Sequence, residues 1–322
     1  MRIGTINGTR TAAAAALAAA LIAAAATLPG DALAGGKTSK AWKSLAKQLR
    51  NVARGEAKAD YQLALARAGL LPESRRDDAR DEAREEYEDA RDAASGAYRV
   101  RLELAQDLDE EQIYSVQIDP SKFTTNITNP YFPLQVGNEW TYRGETEDGV
   151  ETTVVTVLDE TKVIAGVTCV VVRDIVKLDG VPVEDTLDWY AQDQDGNVWY
   201  FGEIAVNYDE DGDITDVDGS WQAGKDGALP GIVMPAAPQV GDVYRQEFYA
   251  GEAEDYARVL ETDGTASVPF GSFTNCVVTF DGNPMEPDHQ EHKTYASGVG
   301  TVLELDVESG ERVELISFTT QP

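Results

Sequence analysis

The sequence predicts an α+β protein in which a helical arm or hairpin precedes a duplicated antiparallel β domain, sandwich-like or barrel-like. Residues 35–115 combine helical spacing of apolar residues with mixed charge. Residues 116–322 contain runs of β-branched residues separated by Gly and Asp-Gly turns. Short motifs also recur within this second part, which indicates a duplication.

The first 34 residues have the pattern of a secretory signal peptide. Arg2 and Arg10 precede an apolar run, 12–26, and residues 31–34 (Asp-Ala-Leu-Ala) supply a small-residue cleavage site. The run is short and a Pro-Gly pair follows it, which favours a cleaved signal over a membrane anchor. We therefore expect a secreted or periplasmic protein without a transmembrane segment in its mature chain.

The helical arm begins with a basic amphipathic segment. Residues 37–54 contain six Lys and Arg residues beside a stripe that includes Trp42, Leu45 and Leu49. Such a helix either packs on a neighbouring helix with its lysines in solvent or makes a weak contact with the cell envelope. A break at Leu71-Pro72, followed by a charge-rich stretch, predicts an α-hairpin or a long helical stalk.

Negative charge is concentrated in the β domain. The whole chain has a formal net charge of -30, and residues 116–322 hold 10 Lys and Arg against 39 Asp and Glu. A nucleic-acid partner is excluded, because phosphate binding requires a basic surface. Cations or basic proteins are the expected partners.

The clearest β-hairpin is the stretch 188–201. Aromatic and β-branched residues flank an Asp/Gly/Asn cluster at 193–197. A second copy follows at 295–302, and two sequence-similar segments, 135–140 and 239–244, are separated by nearly the same distance. These matches predict two repeat units, about 129–203 and about 235–306, with an insertion at 204–238.

Two cysteines, Cys169 and Cys276, occupy equivalent places in the two units. If a pseudo-two-fold axis passes near them they form a disulfide, and if it does not they are two buried thiols on separate strands. The sequence leaves both alternatives open.

Acidic loops are the first candidate metal sites. Asp209, Asp211 and Asp213 could surround a calcium ion, and Asp193 and Asp195 form a smaller version. Neither loop has EF-hand spacing. The alternative is an Asp-Gly hairpin turn on a solvated acidic surface.

His289 and His292 are the second candidate metal ligands, for zinc or copper. Residues three apart on a strand face opposite ways, so one strand cannot present both. The alternative is an exposed polar strand end.

Aromatic residues crowd the first repeat unit and form either its core or an exposed platform. Motifs for a nucleophile elbow, a phosphate loop or a dinucleotide site are absent from the sequence, so no catalytic residue is assigned. A hydrolase with a pair of carboxylates remains open, because spacing says nothing about their separation.

Several segments resemble a family of uncharacterised, secreted, β-rich bacterial proteins. They are 129–134 with Trp140, 189–193, 196–203, 251–255 and 291–293. The resemblance covers 129–318, omits the helical arm and transfers no catalytic residue. It implies an exported bacterial protein.

The sequence therefore predicts an exported, non-enzymatic, acidic binding module with divalent cations as candidate ligands. One alternative is a carboxylate-based hydrolase of an envelope or extracellular polymer. The other is an assembly protein that oligomerises through its helical arm. A cleft with two converging carboxylates would favour the hydrolase, and a flat acidic face would favour binding.

Overall fold

The structure, a computed structural model, describes residues 38–146 and 148–320. The signal peptide assigned to 1–34 lies outside these residues. The described chain divides into two compact units. The sheet unit contains 116–281 and 290–320, and the helical unit contains 38–115 together with 282–289.

The helical unit contains two helices, α1 (Lys40–Ala68) and α2 (Glu73–Asp107). Ser39 caps α1, because its side-chain oxygen accepts a hydrogen bond from the backbone N–H of Trp42. Pro72 immediately precedes α2, where its fixed φ suits a helix start and its missing N–H costs nothing. The predicted helical arm is confirmed, and its form is a hairpin of two helices.

Small residues line the seam between α1 and α2. The buried alanines are Ala46, Ala57, Ala68, Ala83, Ala94, Ala97 and Ala105. Tyr61 and Tyr87 stack across the seam with ring centroids 4.9 Å apart. The basic start of α1 buries Trp42, whose indole N–H donates to the Gln112 carbonyl at 2.9 Å, while Lys43 and Lys47 are exposed. This arrangement matches the helix-packing interpretation of residues 37–54.

No helix among the described residues is long and apolar enough to cross a membrane.

The sheet unit is built from sixteen strands. They are β1 (Phe123–Thr124), β2 (Glu139–Thr146), β3 (Gly149–Ile164), β4 (Val167–Leu178), β5 (Val181–Asp193), β6 (Val198–Tyr208), β7 (Ile214–Asp216), β8 (Trp221–Gln222), β9 (Leu229–Met234), β10 (Val243–Arg245), β11 (Glu247–Phe248), β12 (Tyr256–Val268), β13 (Gly271–Asn283), β14 (Glu286–Ala296), β15 (Gly300–Asp306) and β16 (Arg312–Thr319). The far end of the β13–β14 hairpin, 282–289, belongs to the helical unit.

The strands form one antiparallel sheet that is nearly closed. Its order is β10-β12-β13-β14-β15-β16-β2-β3-β4-β5-β6-β9-β11, with β1 beside β5 and with β7 and β8 beside β6. The two ends of this path, β10 and β11, are separated in the chain only by Gln246. The sheet is therefore barrel-like, which confirms the predicted fold class. Strands β7, β8 and β9, which each pair with β6, come from the predicted insertion.

The turn between β4 and β5 is formed by an Asp-Gly pair. Asp179 and Gly180, between β4 and β5, both have positive φ, at 48° and 86°. This is the conformation that a two-residue hairpin turn requires, and Asp-Gly adopts it readily. Not every Asp-Gly pair marks a turn, because Asp263-Gly264 lies within β12 and Asp281-Gly282 lies within β13.

The two faces of the sheet differ in burial. On β2, Trp140, Tyr142 and Gly144 are buried, whereas Glu139 and Arg143 are exposed. Because strand residues alternate between faces, the face with Trp140 and Tyr142 is the inner face of the barrel-like sheet. Tyr142 Oη donates to the Thr301 carbonyl at 3.1 Å, which links β2 to β15 across this interior.

Corresponding segments of the predicted repeat make corresponding hydrogen bonds. The Gly137 N–H donates to the Val157 carbonyl at 2.9 Å, and the Gly241 N–H donates to the Val259 carbonyl at 2.9 Å. Trp140 and Tyr244 are each the second residue of a strand, β2 and β10. These features agree with a duplication, and superposition of the two units stays a prediction.

Candidate functional site

Polar side chains lie on the inner face of the sheet, where apolar packing would be expected. Cross-strand pairing aligns Val172 on β4 with Asp188 on β5, and Asp188 with Glu203 on β6. Directly paired residues point to the same face and bring their Cβ atoms within about 5.5 Å. Asp188 and Glu203 are therefore two carboxyls that converge inside the sheet.

We call Asp188, Glu203, Glu247, Tyr190 and Tyr200 the acid–tyrosine cluster. The Tyr200 hydroxyl donates to Asp188 Oδ1 at 2.6 Å. The rings of Tyr190 and Tyr200 stack with centroids 4.9 Å apart. Glu247 comes from β11, which pairs with β9 beside β6, so three strands at one end of the sheet contribute to the cluster.

The electrostatics of this cluster favour proton uptake. Burial raises the pKa of Asp188 to about 7, even though the hydrogen bond from Tyr200 opposes the shift. Burial also raises the pKa values of Glu203 and Glu247 well above their usual range. The charged side chains that act most strongly on Glu203 are Asp188, Glu247, Glu184 and Asp255, which are all carboxyls.

Asp174 on β4 lies beside this cluster. Its Oδ1 is buried and has no hydrogen-bond partner among the described residues. Burial, and then the charge of Asp188, raise its pKa well above the usual range. A buried oxygen without a hydrogen-bond partner is costly, and protonation of Asp174 reduces that cost because it removes the charge.

A second set of inner side chains, which we call the lysine cluster, consists of Lys293, Glu304, Glu291 and Asp281. Lys293 on β14 pairs directly with Glu304 on β15, and its Nζ lies 3.5 Å from Glu291 Oε2. Burial alone would lower the pKa of Lys293, but Glu304, Glu291 and Asp281 outweigh burial and raise it. Here the protein itself supplies an ammonium group beside the carboxyls.

The inner groups retain contact with solvent. The side chains of Lys293 and Glu291 keep 28% and 27% of their surface exposed. Asp174 and Glu203 are also only partly buried, although desolvation dominates their pKa shifts. Solvent therefore reaches Lys293, Glu291, Asp174 and Glu203, whereas Asp188 and Glu247 are buried.

The acidic loops predicted from sequence are built as turns. Asp193 Oδ1 accepts from the N–H groups of Asp195 and Asn197, and its Oδ2 accepts from the Asn197 amide and the Trp199 indole. Both carboxylate oxygens of Asp193 are therefore engaged in holding the hairpin turn, the structural alternative to a cation site.

The larger loop repeats this pattern. Asp209 Oδ1 accepts from the N–H groups of Asp211 and Asp213, all three of which are exposed. Among the described residues, no group of three or more His, Cys, Asp or Glu side chains is placed to hold a metal ion. The calcium assignment of these loops stays a prediction.

The histidines lie on β14 and face opposite ways by strand alternation, as expected. His292 packs edge-on against Phe280, with centroids 6.4 Å apart. Cys169 and Cys276 are both buried free thiols, on β4 and β13.

Sequence reasoning missed the acid–tyrosine cluster. A signal was present, because Asp174 and Asp188 interrupt apolar alternation at positions that face the same way as their buried neighbours. The aromatic residues Trp140, Trp189, Phe201 and Trp221 are buried, which confirms the core interpretation for them.

Comparison with family models, curated proteins and solved structures finds no match for this chain. The resemblance to a secreted, β-rich bacterial family therefore stays a prediction.

Proposed function

We propose that the chain is an exported binding module that takes up a cation inside the barrel-like sheet, at the acid–tyrosine cluster. The observation that carries the proposal is the convergence of Asp188 and Glu203 on adjacent strands, with Glu247 beside them. Export itself rests on the sequence pattern of residues 1–34.

Buried carboxyls support this function because they are unfavourable without a partner. Ionising Asp188 or Glu203 in the interior carries a desolvation cost and adds repulsion between them. A cation removes both costs, and it binds the folded chain only. Binding is therefore coupled to release of protons and to added stability.

Thermal unfolding with a panel of cations tests the function. The panel is calcium chloride, magnesium chloride and 1,4-diaminobutane dihydrochloride, each compared with sodium chloride of matched ionic strength. We expect at least one to raise the Tm beyond sodium chloride, by an amount equivalent to about 2.7 kcal/mol at a hundredfold excess over Kd.

Matched variants locate the site. Asp188→Asn and Glu203→Gln should remove the extra increment, whereas Asp211→Asn with Asp213→Asn should keep it. The opposite pattern would overturn the proposal and move the site to the acidic loop. Equal shifts with every salt would mean plain screening and no site at all.

Converging carboxyls also favour a second candidate, the carboxylate-based hydrolase. Such enzymes need one protonated acid and one ionised base, set apart by different environments. Burial raises the pKa values of both Asp188 and Glu203, so burial holds neither carboxyl in the ionised form that the base requires. Binding is therefore the better-supported function. Release of reducing ends from envelope polysaccharides by the wild type, lost in Glu203→Gln, would establish the hydrolase instead.

A further inference from the structure

The β5–β6 and β14–β15 hairpins correspond to each other in the predicted repeat. At one position, the two hairpins carry side chains of opposite charge. Tyr190 on β5 corresponds to Tyr295 on β14, and each lies two residues after an inner charged residue. In the first hairpin that residue is Asp188, and in the second it is Lys293. Both hairpins have an irregular register at this point, between Asp188 and Tyr190 and between Thr294 and Tyr295.

The lysine cluster shows how this interior accommodates carboxylates. The Lys293 ammonium, carried on its aliphatic stem, lies 3.5 Å from Glu291 and directly opposite Glu304. The acid–tyrosine cluster has a carboxyl, Asp188, where the second hairpin has this lysine. Its strongest charged neighbours are further carboxyls, which makes it complementary to an ammonium group from outside the chain.

The surroundings of Asp188 suit an organic ammonium ion in particular. A primary ammonium has three N–H donors, and the carboxyls of Asp188 and Glu203, paired on adjacent strands, supply acceptors for them. Aromatic rings border the Asp188 carboxyl: Tyr190 stacks on Tyr200, and Trp221 lies edge-on to Tyr200 with centroids 5.4 Å apart. Aromatic rings beside a carboxylate favour a cation, because their electron-rich faces attract positive charge. A bare metal ion would bind through the carboxyl oxygens alone and would make no use of the aromatic rings.

We propose that the ligand of the acid–tyrosine cluster is a small organic amine, bound as its ammonium ion by Asp188 and Glu203 in the position that Lys293 occupies in the lysine cluster. This inference rests on the proposed function and names the class of cation.

Calorimetric titration of the full mature chain with n-butylammonium chloride tests the inference. The comparison ligands are n-butanol, which has the same stem without charge, and calcium chloride. We expect saturable binding of n-butylammonium and none of n-butanol. Asp188→Asn and Glu203→Gln should each weaken binding about tenfold or more, because each removes a charged hydrogen-bond acceptor.

One variant tests the correspondence directly. Asp188→Lys should supply an internal ammonium, as Lys293 does, and abolish n-butylammonium binding while leaving the chain folded. If Asp188→Lys does not fold, Asp188→Asn decides the matter through its weaker affinity. As a matched control, Asp209→Asn should bind n-butylammonium like the wild type.

The outcomes separate this inference from the proposed function. Calcium binding that depends on Asp188 and Glu203, without n-butylammonium binding, would overturn the inference that the ligand is an amine. It would leave the proposed function, cation binding, in place. Binding of neither cation would overturn both. Binding of n-butanol as tightly as n-butylammonium would overturn the role of the ammonium group.

Discussion

The hydroxyl of Tyr200 donates a 2.6 Å hydrogen bond to Oδ1 of Asp188 inside the sheet. The bond stabilises the ionised carboxylate, yet burial still raises the pKa of Asp188 to about 7. Desolvation thus outweighs the hydrogen bond, and Asp188 titrates near neutral pH. Its neighbours from the packed strands are titratable too, namely Asp174, Glu184, Tyr190, Glu203 and Glu247.

The pH dependence of stability follows from this shift. An unfolded Asp has a pKa of about 3.9, so between about pH 4 and pH 7 the folded chain binds a proton that the unfolded chain releases. The stabilisation is complete below pH 4 and is lost as the pH rises through 7. For Asp188 alone it is at most about 4 kcal/mol. We expect thermal unfolding to give a higher Tm at pH 5.5 than at pH 8.

Asp188→Asn is the control for this prediction. The amide resembles the protonated carboxyl, so the variant should have a higher Tm than the wild type at pH 8. Its Tm should also change less between pH 5.5 and pH 8. Identical pH profiles for the two proteins would contradict the assignment of the transition to Asp188.

A second prediction concerns the closure of the sheet at Gly231 on β9. A Cβ atom there would lie 2.4 Å from the Arg245 carbonyl oxygen and 2.5 Å from the Gln246 carbonyl carbon. Because these are backbone atoms of the segment that joins the two edges, they cannot move without opening the closure. Gly231→Ala should therefore lower the free energy of unfolding by about 3 kcal/mol.

Gly271→Ala is the matched control within the sheet. A Cβ at Gly271 would make its nearest contact with Phe273 at 3.7 Å, an ordinary van der Waals distance. Its effect should stay within about 0.5 kcal/mol in urea unfolding. Equal stability of the two variants would show that Gly231 does not restrict the closure.

A third prediction follows from the two buried thiols. Burial raises the pKa of Cys169 to about 12, and Cys276 is fully buried on β13. Because the thiolate is the reactive form, neither cysteine should react with a thiol reagent in the native protein. Two thiols per chain should react in guanidinium chloride without reductant. Reaction of none would instead show a disulfide between Cys169 and Cys276.

Local features of this fold could be predicted from sequence, because their causes are local. The hairpin turn at Asp193 depends on hydrogen bonds to residues two to six positions away, all within one readable stretch. The break between α1 and α2 likewise depends on Gly69 and Pro72. In both cases the residues that cause the structure are adjacent to it.

The acid–tyrosine cluster could not be assembled from sequence, because its causes are distant. Glu247 is distant in sequence from Glu203 and Asp188, and it joins them because β11 pairs with β9 and β9 pairs with β6. The register irregularity between Asp188 and Tyr190 also shifts the pairing by one residue, which periodicity alone does not reveal. Strand order and register are tertiary properties, and both are needed to place these carboxyls.

The last prediction separates two glycines in the long helices. A Cβ at Gly96 on α2 would lie 2.8 Å from Cγ of Pro287, which belongs to the same compact unit. A Cβ at Gly55 on α1 would meet nothing within 4 Å. Alanine is favoured over glycine in a helix by about 1 kcal/mol, so Gly55→Ala should raise the free energy of unfolding by that amount.

At Gly96 the same preference is opposed by the clash with a rigid proline ring. Gly96→Ala should therefore lower the free energy of unfolding by about 1 to 3 kcal/mol in urea. Gly96→Ala combined with Pro287→Ala should recover part of the loss, because the substitution removes the ring atom that clashes. Stabilisation by Gly96→Ala comparable to that of Gly55→Ala would show that Pro287 does not pack against α2.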